Sequence, residues 1–171
     1  MRFDYLWIIA IILLGAPAFH SAIGAHWLVA QSRDGSNSGE GLTASEKEAL
    51  QKAKDPDEQV RIYLDIASDR LKSLLSSSRR GEDENTAKAV TGFRTAVSEA
   101  EETVAKGQAS GKSMRKSLTA VLKATKKYNL SLLQAIERVP EDQRGHIQSA
   151  YEASQRVQDG AALQLERVDR K

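Results

Sequence analysis

From Thr43 onward the chain places apolar residues at every third or fourth position and nowhere shows the alternation that a half-buried strand requires. The pattern is interrupted four times by helix start and stop signals, which predicts five helices. The first follows Thr43-Ala44-Ser45-Glu46, a capping box in which the Thr hydroxyl and the Glu carboxylate satisfy orphan amides, and it runs to about Lys54. Asp55-Pro56-Asp57-Glu58 opens the second, with an acceptor at the cap, Pro at the first helical position and acids where the helix dipole favours them. Its stripe of Val60, Leu64, Ala67, Leu71 and Leu74 carries it to about Ser78. The charged run Arg79 to Asn85 breaks the period, and Val90, Phe93, Val97, Ala100 and Val104 resume it in a third helix ending near Gly107. After a turn at Gly107 to Gly111, a long fourth helix places Met114, Leu118, Val121, Leu122, Tyr128, Leu132, Ile136 and Val139 on one face. Pro140 disfavours helical geometry at Val139, and Glu141-Asp142 begins a fifth helix whose Ile147, Ala150, Val157, Ala161, Leu165 and Val168 lead almost to Lys171.

The predicted fold is all-α: an antiparallel up-down helical bundle of four long helices plus one short N-terminal helix, because short connections favour antiparallel neighbours. The alternative at Val139-Pro140 is a kinked continuous helix, which would give an elongated rod. Each longer helix carries one aromatic, Tyr63, Phe93, Tyr128 or Tyr151, and a hairpin about Pro140 would bring Tyr128 opposite Tyr151, with hydroxyls reaching water. Gly92 and Gly160 interrupt helical patterns at about 1 kcal/mol each relative to Ala; simple tolerance is the plainer reading and close packing the alternative.

The first 42 residues are of another kind. Leu6 to Leu14 is an uncharged apolar run after Arg2, followed by Gly15, Ala16, Pro17 and Ala18, which is the layout of a secretory signal spanning residues 1–30. Ala16-Pro17-Ala18, Ile23-Gly24-Ala25 and Leu28-Val29-Ala30 are all compatible with a cut, which places it between residues 18 and 30. The alternative is an uncleaved anchor from Leu6 to Ala30, against which Pro17, His20 and His26 argue. Residues 31–42, rich in Gly and Ser, form a flexible linker before the bundle domain at 43–171. The expected location is therefore outside the cytoplasm, periplasmic or secreted.

Composition narrows the chemistry. A chain of 171 residues is one domain, at about 100–200 residues per domain. With no Cys it can hold no thiolate zinc site, iron–sulfur cluster or cysteine nucleophile. The bundle has a single histidine, His146, so neither a catalytic triad nor a histidine-rich metal site can be assembled. A di-iron bundle needs Glu-x-x-His on two helices, and Gln143 stands where the one available copy needs Glu. Ser113-Met114-Arg115-Lys116 matches the Ser-x-x-Lys string of penicillin-binding enzymes, but the Ser-Asp-Asn and Lys-Thr-Gly elements are missing and an all-helical domain lacks the strand that bears the latter. Asp65 and Asp69 lie beside Arg61 and Arg70 and read as surface ion pairs. The expectation is a protein that is not an enzyme, with no catalytic residues, no metal and no cofactor.

Charge placement adds one candidate. The formal net charge is only +2, yet Lys112, Arg115, Lys116, Lys123, Lys126 and Lys127 follow one another without an intervening acid. At ~100° per residue they fall within about 120° on the side opposite Met114, Leu118 and Val121. Such a basic stripe attracts anionic lipid headgroups or an acidic envelope polymer. The plainer reading is a solvated face partly neutralised by Glu99, Glu101 and Glu102 of the preceding helix. Nucleic acid is the poorest fit, given the small net charge and the leader.

Leu42-Thr43-Ala44-Ser45-Glu46-Lys47, Asp55-Pro56 and the run Val60 to Leu71 resemble uncharacterised exported helical proteins of bacteria. That resemblance covers residues 42 to 75 and implies a bacterial envelope protein, with no activity or binding residues to transfer. The Leu-Thr-x-x-Glu start is also similar to the Leu-Thr-x-x-Gln helix starts of small periplasmic chaperones. The first functional expectation is thus an exported, non-enzymatic bundle that binds a protein or cell-envelope partner. The alternatives are peripheral binding of anionic lipid or polymer through the fourth helix, and a chaperone-like role.

Overall fold

The computed structural model describes residues 41–170. The predicted leader (1–30) and nearly all of the predicted linker lie outside the described residues, as does Lys171. Within them the chain is all-helical, with no strand: α1 (Ala44–Lys52), α2 (Pro56–Arg80), α3 (Asp83–Ala109), α4 (Arg115–Ile136) and α5 (Glu141–Asp169).

The first two helices start on the caps that the sequence signals. Glu46 N–H donates to Thr43 Oγ1 at 3.2 Å while Thr43 N–H donates to Glu46 Oε2 at 2.7 Å, completing the capping box. Asp57 N–H donates to Asp55 Oδ1, so Asp55 caps α2, with Pro56 at its first position. The break after α2 is shorter than the charged run implied, because only Gly81 and Glu82 separate α2 from α3. Gly81 adopts φ 69°, a left-handed conformation that glycine enters without a Cβ penalty, and this closes α2 in two residues.

Helix α2 packs along α3, and α4 along α5; α3 also lies against α5 and α2 against α4, whereas α3 and α4 touch little. The extensive α4–α5 packing rules out the kinked rod at Pro140: Glu137 to Pro140 reverse the chain between two separate helices. Consecutive helices are not always neighbours, since α3 and α4 occupy opposite corners. Contacts fix the directions. Ser117 Oγ donates to Asp57 Oδ1 near the starts of α4 and α2, so these two run in the same sense, as do α3 and α5, where His146 Nε2 lies 2.9 Å from Asp83 Oδ1.

All five residues of the predicted α2 stripe are buried, as are Val90, Phe93, Val97, Ala100 and Val104 of α3. Alanines at 89, 96 and 100 on α3, and at 150, 153 and 161 on α5, keep these surfaces thin enough for close helix approach. Large side chains meet across the diagonal between α3 and α4. Phe93 of α3 and Tyr128 of α4 form an edge-to-face pair with centroids 5.6 Å apart. Tyr128 therefore finds Phe93, and its hydroxyl, instead of reaching water, donates to Leu64 O at 2.7 Å.

Burial, reinforced by Asp65 and Asp69, pushes the Tyr128 phenol up from 10.0 to about 12. The unfolded chain loses this proton first, so the stabilisation is complete below pH 10 and disappears as pH rises through about 12. We expect an alkaline loss of about 2–3 kcal/mol from this group. Urea titrations across that window should show a steeper decline for the native protein than for Tyr128→Phe, and parallel declines would contradict this burial.

Gly92 and Gly160 each face a flexible side chain from a neighbouring helix, whereas Gly145 of α5 faces open space. A Cβ at Gly92 would stand 3.0 Å from Arg70 Cδ, and one at Gly160 would stand 2.6 Å from Glu101 Oε1. Arg70 crosses Gly92 to reach α1, donating to both carboxylate oxygens of Glu46 and to Gly41 O. This corrects its expected pairing with the nearby aspartates, since Asp69 pairs with Lys72. Two residues assigned to the linker thus touch the bundle: Gly41 O accepts from Arg70, and Leu42 packs against the core.

Candidate functional site

Helix α4 presents one side to the core and the other to water for a simple reason of period: Leu118, Val121, Thr125, Tyr128 and Leu132 are buried, whereas Lys123, Lys126, Lys127, Leu130 and Leu133 face out. It contains no Asp or Glu from Arg115 to Ile136. All six residues of the basic stripe, Lys112, Arg115, Lys116, Lys123, Lys126 and Lys127, are exposed, with Lys112 in the connection before the helix and the rest on it. The structure thus brings together every cation that the spacing selected.

Their neutralising partners are not those anticipated. Glu102 pairs with Lys106 on its own helix at 2.9 Å. Glu99 stands beside Tyr63 of α2, and burial, then Glu102, raises its carboxyl above the usual range. Glu101 lies against α5 near Arg156, and burial raises it too. None of the three serves α4, because α3 occupies the opposite corner. Two other acids reach the near end of the stripe: Asp169 Oδ1 is 3.0 Å from Arg115, and Asp55 Oδ1 is 3.9 Å from Lys112. Lys116, Lys123, Lys126 and Lys127 have no acidic partner within ion-pair distance among the described residues.

Beside the stripe runs a shallow groove of about 720 Å³ at the seam of α4 and α5, where Arg115, Lys116 and Lys123 stand over Ala120 and Leu165. Two large apolar side chains that the stripe did not include extend the same face: Leu130 is 60% exposed and Leu133 46%. Their angular position was available from the sequence, since at ~100° per residue both fall within the arc of the cations.

His146 is committed to Asp83 at the α3–α5 contact, and Ser113 sits exposed in the connection before α4. No cluster of three or more potential metal-ligating side chains occurs among the described residues. Nor, among them, is any helix long and apolar enough to cross a membrane. Comparisons with models of known families, with curated proteins and with solved structures give no match.

Proposed function

We propose that this is an exported, non-enzymatic binding module, an up-down bundle on a tether, that engages an anionic partner through the outer face of α4. The observation that carries the reading is the set of four exposed lysines that have no acidic partner among the described residues, on a helix devoid of acids. Like charges at i, i+3 and i, i+4, as at Lys123, Lys126 and Lys127, repel one another and weaken an isolated helix. Such a cluster is relieved when an external anion supplies the missing countercharge. Export rests on the apolar run Leu6 to Leu14 and the small residues after it.

The alternative of an uncharged protein contact is distinguished by salt. Adsorption of the full chain to polyphosphate should be measurable at low ionic strength and fade steeply as the Debye length falls from about 30 Å at 0.01 M to about 3 Å at 1 M. An affinity independent of salt, or none at low salt, would refute the reading.

A further inference from the structure

We infer that the anionic partner of the α4 face is a lipid bilayer, with the lysines at the headgroups and Leu130 and Leu133 set into the acyl boundary; this rests on the anion-binding reading above. Three large hydrophobic side chains are exposed among the described residues, Leu130, Leu133 and Leu163, and two of them lie on this one face. Lys123, Lys126, Lys127, Leu130 and Leu133 follow at spacings of one, three or four residues, so cations and leucines form one stripe about 15 Å long at 1.5 Å per residue. A flat surface can meet all five at once.

A soluble polyanion would satisfy the lysines and leave both leucines in water. An anionic bilayer satisfies both kinds of group, because its outermost layer is charged and the layer beneath it is apolar. From Arg115 to Ile136 the helix has no acid to repel the headgroups, and Glu137 at its end is the first. The core side of α4 is occupied by its packing against α2 and α5. Among the described residues nothing covers the outer side, and the helix is too polar to span, so the contact is interfacial.

The chain has no cysteine, so Leu130→Cys accepts a single environment-sensitive fluorophore in the full-length protein. Thr91→Cys, exposed on α3 at the opposite corner, is the reference. With vesicles of phosphatidylglycerol and phosphatidylcholine the label at 130 should shift to the blue and the label at 91 should not. Vesicles of phosphatidylcholine alone should leave both unchanged, which separates this face from any contribution of the leader. Leu133→Ser should weaken vesicle binding roughly tenfold while polyphosphate binding is retained. Polyphosphate binding without a response at 130 on anionic vesicles would overturn the lipid inference and leave the anion reading standing. A shift at 130 with acidic polypeptide but not with vesicles would overturn it in favour of a protein partner, and an equal shift on neutral vesicles would overturn it as well. Failure of both polyphosphate and vesicles to bind would remove the anion reading and this inference together.

Discussion

Replacing Phe93 with alanine should cost about 3–5 kcal/mol, a large part of the roughly 5–15 kcal/mol that holds a domain folded. Phe93 is fully buried and meets Tyr128 edge to face across the diagonal of the bundle. The helices that bear the two rings, α3 and α4, make little other contact and are held apart by their packing on α2 and α5. The cavity should therefore persist, which is the condition under which truncation is most costly. Phe93→Leu keeps most of the volume and should recover most of the loss. Urea unfolding of both variants measures the difference. A loss below about 1 kcal/mol for Phe93→Ala would mean that the centre of the bundle can collapse around the gap.

That diagonal contact marks the boundary of what the chain reveals on its own. The helices were legible because caps and stripes are local: Thr43 and Glu46 are three residues apart, and Val60 to Leu74 repeats within one element. Adjacency is not local. A five-residue link after α3 can reach a neighbour or a diagonal corner, and the choice depends on which faces fit, so Tyr128 was matched with Tyr151 when Phe93 is its partner. Buried polar residues were invisible for a related reason. Thr125 and Ser77 read as polar positions, yet each satisfies its hydroxyl on a carbonyl of its own helix, at Val121 O and Ser73 O, and can then enter the core. The exposure of Arg115, Lys116, Lys123, Lys126 and Lys127 on α4 follows from the helical period alone, whereas Lys112 lies before the helix, where that period does not apply. Nor do the stripe's countercharges follow from it, since Asp55 and Asp169 are brought there by the α2–α4 and α4–α5 contacts.

Reversing Lys123, Lys126 and Lys127 to Glu should eliminate binding to anionic vesicles and to polyphosphate while leaving the fold intact. Near an anionic surface each lysine contributes about 1 kcal/mol, so losing three weakens affinity by about two decades, and the new negative charges add repulsion. None of the three is buried or in an ion pair among the described residues, so stability should change by no more than about 0.5 kcal/mol per site. A second triple variant, Lys52→Glu, Lys72→Glu and Lys88→Glu, imposes the same change of net charge elsewhere. Those three lysines are exposed but each is paired with an acid, at Glu48, Asp69 and Glu84. If binding follows the α4 face, only the first triple should lose it, and the second should retain affinity within a few fold. If the two decline together, the attraction belongs to the net charge of the whole domain, and α4 has no special part in it.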